Sequence, residues 1–308
     1  MICSIIIPTY NEQNDIAGTL DALLSLSYED KEIIVVDDST DRTPAIVRSY
    51  ERNGVRLIRP AIREGRCNAR NIGILAATGE VLIILNADVR LPTDFIERIL
   101  PHYYSGFDYV LVKSIVANTH SLFPRYINAV ANHEERGDVS WMEWTEGFSC
   151  RRTSAISAGL FPVGFAVPIC AGEDGFFGEG LRKSGARKKV DFTITVNHIA
   201  PAHLKEYWSI RCGRGSGSAQ TRRFLHSWTM PSLVFWALLR LAKNFLVYIT
   251  LLPLTLRILT LTRYSDRGLR DFFPFMYSHF VEQIAFHYGE FTSIFEIASS
   301  ERRLGSTK

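Results

Sequence analysis

The 308-residue chain lacks several features that would assign its class at once. Its five cysteines, Cys3, Cys67, Cys150, Cys170 and Cys212, are odd in number and nowhere form a Cys-x-x-Cys pair, so neither a disulfide framework nor a structural zinc site is encoded. A reducing compartment fits that usage. Met1 leads straight into an apolar run without a basic start or a small-residue cleavage site, so no signal peptide is expected and the working domain should face the cytoplasm. No Gly-x-Gly-x-x-Gly follows the first apolar run, which disfavours a dinucleotide-binding unit. The glycine-rich, lysine-containing phosphate loop of a nucleotidyltransferase is missing there too. Repeats and low-complexity tracts are absent. The formal charge of +3 is too near zero to make the whole chain a nucleic-acid binder, and no nucleic-acid partner is expected.

The small net charge hides an asymmetry. Residues 201–270 hold eleven Lys or Arg against Glu206 and Asp266, giving that segment +9 and the remainder −6. From Pro231 to Leu261 the chain is overwhelmingly apolar, with only Arg240, Lys243 and Arg257 charged. The longest uncharged stretch, Asn244 to Leu256, has thirteen residues and contains Pro253. That falls short of the ~20 apolar residues a simple spanning helix needs. A peripheral or re-entrant membrane-associated region is therefore expected over residues 226–308, its cations each drawn to an anionic leaflet by about 1 kcal/mol. A helical subdomain packed on the globular core is the alternative.

What is present over the first hundred residues is an α/β alternation. Ile5 to Ile7 read as a strand stopped by Pro8, and Ile16, Leu20, Leu23 and Leu24 recur at helical spacing. Glu32 to Val36 form a second strand, Thr43-Pro44 caps a helix running to about Arg52, and Val55 to Ile58 form a third strand. Gly65 introduces a helix that Gly79 should end, and Val81 to Leu85 make a fourth strand. Further on, Tyr109 to Val112 and Phe192 to Val196 read as strands, and Asp174 to Ser184 as a helix stopped by Gly185. Polar residues thus lie past the carboxyl ends of at least three strands, the edge where open parallel sheets bind ligands.

Four clusters at that edge carry chemistry. Pro8-Thr9-Tyr10-Asn11-Glu12 follows the first strand, with Tyr10 suited to stacking on a base. Asp37-Asp38-Ser39-Thr40-Asp41 follows the second, where a carboxylate accepts hydrogen bonds from a base or ribose, and where Asp41 is expected to serve the turn before Pro44. Arg63 to Asn71 open a helix whose free N–H groups and dipole favour an anion, with Arg66 placed to pair with a phosphate. Asn86-Ala87-Asp88 tips an apolar strand, and a carboxylate there suits a hard cation beside a diphosphate.

Taken in order, these clusters together with Asn71-Ile72-Gly73, Gly79-Glu80 and Gly172-Glu173-Asp174 closely resemble family 2 glycosyltransferases over roughly residues 2 to 215. The resemblance implies a GT-A, Rossmann-like nucleotide-diphospho-sugar transferase fold over residues 1–225: a mixed sheet flanked by helices, followed by the apolar, basic helical region. It implies a UDP- or GDP-type sugar donor, inversion at the anomeric carbon, and a lipid-linked or glycan acceptor. Pro8, Tyr10 and Glu12 would line the nucleotide pocket, Asp38 would contact the base and Arg66 the donor. Asp88 would ligate Mg²⁺ or Mn²⁺ as the last residue of the Asp-x-Asp motif, and Asp174 would be the general base. His198 stands where related enzymes carry a histidine near the diphosphate, so it joins Asp88 as a metal-side candidate. On the acceptor side, the resemblance points to Trp144, Glu146 and Glu173, with Trp141 and Thr145 beside them, and to Arg211 and Arg214 in a closing basic motif.

One departure from the family pattern matters, and one missing signature argues against a processive synthase. The first acidic position of Asp-x-Asp is Asn86, which removes one negative charge from the cation site. The Gln-x-x-Arg-Trp signature of processive synthases is absent. Apart from the resemblance, a metal and a cation set in advance would stabilise the charge on a leaving diphosphate, and a base opposite would take the acceptor's proton. The N-terminus of the helix beginning near Asp174 is expected to hold that carboxylate ionised. A catalytically silent nucleotide-sugar-binding or scaffold protein is the rival reading, prompted by Asn86 and the basic tail.

Overall fold

The computed structural model describes residues 1–134 and 146–305. These residues divide into two compact units: 1–115, 146–163 and 173–199 in the first, 116–134, 164–172 and 200–305 in the second. In chain order the first half contains β1 (Cys3–Thr9), α1 (Ile16–Leu24), β2 (Lys31–Asp37), α2 (Thr43–Ser49), β3 (Val55–Ile58), α3 (Gly65–Ala76), β4 (Val81–Ile84), β5 (Val89–Arg90), α4 (Phe95–Tyr104) and β6 (Tyr109–Val116). There follow α5 (Leu122–Glu134), β7 (Phe148–Arg151), α6 (Arg152–Ser157), α7 (Glu173–Lys183) and β8 (Lys188–His198). Helices α8 (Leu204–Gln220), α9 (Met230–Thr250), α10 (Leu252–Thr262) and α11 (Phe272–Gly305) complete the described chain.

Eight strands of the described residues form one sheet in the order β3-β2-β1-β4-β7-β6-β8-β5. Strands β1 to β4 run parallel, β7 is antiparallel to β4 and β6, and β5 is antiparallel to β8. The sheet is thus mixed, with α1, α2 and α3 connecting its parallel strands. After β1 the chain builds outward through β2 and β3, then returns to place β4 on the other side of β1. That reversal is a topological switch point, and the loops leaving β1 and β4 border it.

Strand β1 needs both faces covered, because Ile5, Ile6 and Ile7 are all buried. On one side α3 lies so close that a Cβ at Gly73 would stand 2.3 Å from Ile6 Cγ2. Gly79 does not end α3 as its position suggested: the helix stops at Ala76 and Ala77 is extended. Gly79 is instead a close approach, since a Cβ there would meet Ser4 Oγ at 2.5 Å and the Ile2 carbonyl at 2.8 Å. Thr43 is likewise the first helical residue rather than the cap, and Asp41 Oδ1 accepts from its N–H at 2.9 Å and its hydroxyl at 2.6 Å.

The second unit is helical. Phe123, Tyr126, Tyr207, Leu254, Ile258 and Phe275 form one of its cores. Helix α8, which the glycine-rich run Gly213 to Gly217 conceals in the sequence, touches α11 backbone to backbone. A Cβ at Gly215 would lie 1.9 Å from the Phe286 carbonyl, and one at Gly289 2.0 Å from that of Cys212. Helix α9 has 21 residues and a mean hydropathy of 1.5 over its most apolar window, so by length and composition it is able to cross a membrane. It continues through Arg240 and Lys243 and ends at Leu251, whose φ of 54° turns the chain into α10.

Candidate active site

The loops after β1 and β2 are tied together at the carboxyl edge. Asn11, at φ 58°, donates its N–H to Ser39 Oγ at 2.7 Å and accepts from the Thr40 N–H at 3.0 Å. Buried Asp37 is consumed in holding this corner, accepting from Thr9 Oγ1 at 2.8 Å and pairing with Arg59 at 2.6 Å. Asp38, the next residue, is half-buried. Burial raises its carboxyl, and the nearby Arg63 guanidinium opposes that rise. Pro8 does not stop β1 as the sequence suggested: it pairs opposite Val36 and the strand runs on to Thr9 opposite Asp37, while Tyr10 beyond it is 40% exposed with the Arg63 guanidinium 3.5 Å above its ring. Pro8, Tyr10 and Asp38 therefore share one corner.

Helix α3 supplies the cations. Gly65, at φ 81°, starts the helix and Arg66 follows it with half its side chain exposed, 3.7 Å from Glu173 Oε1. One turn on, Arg70 is fully buried and donates to Glu173 Oε1 at 2.7 Å and to Asn86 Oδ1 at 3.3 Å. Arg70 was not among the residues assigned a role from sequence, although its four-residue spacing from Arg66 puts both on one helix face. Asn71 fixes the same helix to the Phe161 backbone through two hydrogen bonds of 2.9 Å.

Asp88 lies past β4, where β5 pairs with β8 and sets Val89 opposite His198. His198 Nε2 stands 3.2 Å from Asp88 Oδ2. The other oxygen, Oδ1, is buried and has no protein hydrogen-bond partner. Glu12 shares this field: burial first, then the Asp88 charge, push its carboxyl up to about 7. Arg90, also not singled out from sequence, underpins the loop by donating to the carbonyls of Asp15 at 2.8 Å and Ala87 at 3.2 Å and to the Thr19 hydroxyl. No group of three or more His, Cys, Asp or Glu able to hold a metal occurs among the described residues. Asp88 and His198 nevertheless fit a cation of the Mg²⁺ or Mn²⁺ kind that takes its remaining oxygens from a diphosphate and water. The unpartnered Oδ1 is the observation that favours this fit.

Glu173 and Asp174 open α7 in contrasting states. Burial raises the Glu173 carboxyl, but Arg70 and Arg66 outweigh it and leave it below the usual range. Asp174 is pushed up to about 6, first by burial and then by the Glu173 charge, while its Oδ1 accepts from the Gly175 N–H at 2.9 Å. The helix N-terminus thus does not hold Asp174 at an ordinary acidity, because the removal of water outweighs it. Glu146 adds to that rise. Trp141, Trp144 and Thr145 lie outside the described residues. Arg211 is buried in the second unit, paired with Glu282 at 3.0 Å, and Arg214 is exposed on the same helix.

A parallel half-sheet with a switch point carries acidic residues at its carboxyl edge and cations on the next helix, which is where open α/β sheets bind their ligands. Residues 4–162 match the family described as Glycosyl transferase family 2, and the chain belongs to that family. It is 34% identical over 93 residues to a poly-beta-1,6-N-acetyl-D-glucosamine synthase of Staphylococcus epidermidis, covering 30% of this chain and 23% of that protein. A dolichol-phosphate mannosyltransferase of Pyrococcus furiosus is 32% identical over 113 residues, 35% of this chain and 32% of the relative. The chain thus matches a third or less of the length of these curated relatives. S. aureus TarS 1-349 in complex with UDP-GlcNAc shares the fold at TM-score 0.56 and 16% identity, over 100% of this chain and 93% of that one. The mannosyltransferase PcManGT from Pyrobaculum calidifontis, in complex with GDP-Man and Mn²⁺, shares it at TM-score 0.55 and 18% identity, over 97% and 75%.

Proposed function

We propose that the chain is an inverting glycosyltransferase that moves a hexose or related sugar from a UDP- or GDP-type donor to a lipid-linked or glycan acceptor at the cytoplasmic face of a membrane, in the building of a cell-envelope polysaccharide. The observation that carries this reading is Arg70, whose bonds to Asn86 and Glu173 join the cation motif to the motif bearing Asp174. Tyr10 and Pro8 hold the base, Asp38 accepts from it, and Arg66 neutralises part of the diphosphate charge. Asp88 and His198 hold a divalent cation, which when bound withdraws charge from the diphosphate oxygens.

Asp174 takes the proton of the acceptor hydroxyl. The acceptor oxygen forms its bond to the anomeric carbon from the face opposite the diphosphate, and the bond from that carbon to the phosphate oxygen breaks with its electron pair. A base near pH 6 to 7 is matched to this task, a contribution of about 10² to 10⁴ in rate. Burial first, and then the charge of Glu173 beside two arginines, bring Asp174 to about 6. Glu146, and Trp144 beside it in sequence, are the acceptor-side candidates of this unit, and Arg214 the exposed cation of the other.

The test is a panel of sugar nucleotides with Mn²⁺, read both as thermal stabilisation and as nucleoside diphosphate release. Stabilisation by one donor, with diphosphate release on adding acceptor, is the expected result. Donor binding without release under any acceptor would overturn the enzymatic reading in favour of a silent binding module, the reading that Asn86 prompts.

A further inference from the structure

The second unit carries an apolar surface whose pattern is more specific than membrane association, and the inference drawn from it rests on the membrane-surface reading above. Helix α9 leaves most of its length outside the packed core, since 11% of its most apolar window is buried. Around its end, the side chains of Phe245, Leu246, Ile249 and Leu252 are 64%, 62%, 63% and 64% exposed. These residues lie within the uncharged stretch from Asn244 to Leu256, and exposed cations, Lys243 and Arg257, bracket it. The backbone breaks in the middle of that stretch, at left-handed Leu251 with Pro253 in the first turn of α10. Leu254 and Ile258 on α10 are buried in the unit's core, so the corner is anchored from behind rather than free.

A crossing helix would place its charges badly. Arg240 falls at the middle of the 21 residues of α9, and exposed Lys243 follows within a turn. A Lys or Arg at the centre of a spanning helix costs roughly 2.5–3.5 kcal/mol. Arg240 escapes that cost by pairing with buried Glu290 at 3.2 Å, but Lys243 has no acidic partner within ion-pair distance among the described residues. By contrast, a wedge that sinks the α9–α10 corner about 5–10 Å into one leaflet keeps Lys243 and Arg257 at headgroup level. Arg263, Arg267 and Arg270, all exposed, widen the cationic rim beyond α10.

We propose that the α9–α10 corner enters one leaflet of an anionic phospholipid bilayer as a wedge, with Phe245, Leu246, Ile249 and Leu252 in the acyl region and Lys243 and Arg257 on lipid phosphates, and that α9 does not cross the membrane. Charge complementarity selects the occupant: an apolar protein partner would not require cations at both ends of the stretch.

The full chain is tested by sedimentation with phosphatidylcholine vesicles made with and without phosphatidylglycerol, comparing wild type, Phe245→Ser/Ile249→Ser and Lys243→Ser/Arg257→Ser. Both pairs are exposed, so donor-dependent thermal stabilisation should be retained, and it reports folding independently of lipid. Expected are a ten-fold or greater loss of vesicle partition for the apolar pair, and loss of the phosphatidylglycerol preference for the basic pair. In Phe245→Trp, quenching by lipids brominated at shallow acyl positions should exceed quenching by deeply brominated lipids. In a second variant, Leu239→Trp, which puts the probe beside the midpoint of α9, strongest quenching by deeply brominated lipids would overturn the wedge in favour of a crossing. Undiminished partition of the apolar pair would overturn the assigned surface while leaving membrane association standing. A chain that binds no vesicles but dimerises through Phe245 and Ile249 would overturn the lipid occupant, and sugar transfer by that same protein would leave the glycosyltransferase reading untouched.

Discussion

The buried guanidinium of Arg70 reaches Asn86 Oδ1 at 3.3 Å and Glu173 Oε1 at 2.7 Å, so one side chain bridges the end of β4 and the start of α7. This geometry explains an amide where the Asp-x-Asp pattern has a carboxylate. An aspartate at position 86 would compete with Glu173 for Arg70, and two carboxylates around one buried cation leave charge uncompensated. Asn86→Asp should therefore have two opposed effects. The Mn²⁺ concentration for half-maximal turnover should fall by about 10²- to 10³-fold, since unit charges 4 Å apart interact by about 4 kcal/mol at an effective dielectric near 20 and the Arg70 charge offsets part of it. Thermal stability without metal should drop. A metal titration of diphosphate release beside a melting curve in chelator checks both, and an unchanged metal requirement would remove Asn86 from the cation's neighbourhood.

Asp174 is the residue whose removal should be most costly. Asp174→Asn should lower transfer by about 10² to 10⁴ while the donor still binds. The base acts as the carboxylate, so wild-type turnover should climb with pH through the value near 6 and level off above it. Stability runs the other way. With its folded value raised above the unfolded one of about 3.9, Asp174 contributes stability that is whole below pH 4 and is lost as pH rises through 6. Asp174→Asn should thus melt higher than wild type at pH 7.5, with the gap closing at pH 4. Near-normal turnover of the variant would dismiss Asp174 as the base.

Arg90 is a positioning residue in this scheme. Its guanidinium holds the carbonyls of Asp15 and Ala87, and its strand neighbour Val89 pairs with His198. Shortening it frees the Asp88 loop without removing a ligand. Arg90→Ala should raise the Mn²⁺ requirement by about ten-fold, the lower end of what loss of a supporting contact costs a metal site, while donor binding in chelator stays put. Arg90→Lys, which keeps a donor near those carbonyls, should restore part of the loss. Mn²⁺ binding followed by electron paramagnetic resonance separates this role from a general loss of folding.

The parallel half of the sheet was legible because burial on both faces writes itself into runs such as Ile5 to Ile7 and Val81 to Ile84, each followed by polar turn residues. The motif positions followed from the same edges. What stayed hidden depends on contacts distant in sequence. Arg70 reads as one more solvated arginine until α7 brings Glu173 onto it, 103 positions away. Helix α8 is masked by Gly213, Gly215 and Gly217, which weaken helical propensity, yet the first sits in helix and the other two let backbones approach. Arg211 reads as an acceptor-side cation because Arg211 to Gly215 resembles the family's closing basic motif, and its pairing with Glu282 emerges only once α11 packs beside it.

Gly73 links packing to function. It sits on α3 three residues past Arg70, against Ile6 in the middle of β1, and a Cβ there would lie 2.3 Å from Ile6 Cγ2. Ile6 is fully buried between β2 and β4, so its side chain has nowhere to move and the strand or the helix must shift instead. Gly73→Ala gains helix propensity of up to about 1 kcal/mol, but overpacking a rigid core costs about 1–3 kcal/mol, so net destabilisation is expected. The shift also has a direction: β1 leads into Pro8, Tyr10 and Glu12, while α3 carries Arg66 and Arg70, so parting them would widen the donor site proposed above. Urea unfolding should show the loss of stability, and the KM for the sugar nucleotide should rise with the KM for acceptor little changed. An alanine variant as stable as wild type, with an unaltered donor KM, would mean that the seat of Gly73 on Ile6 does not set the separation of α3 from β1.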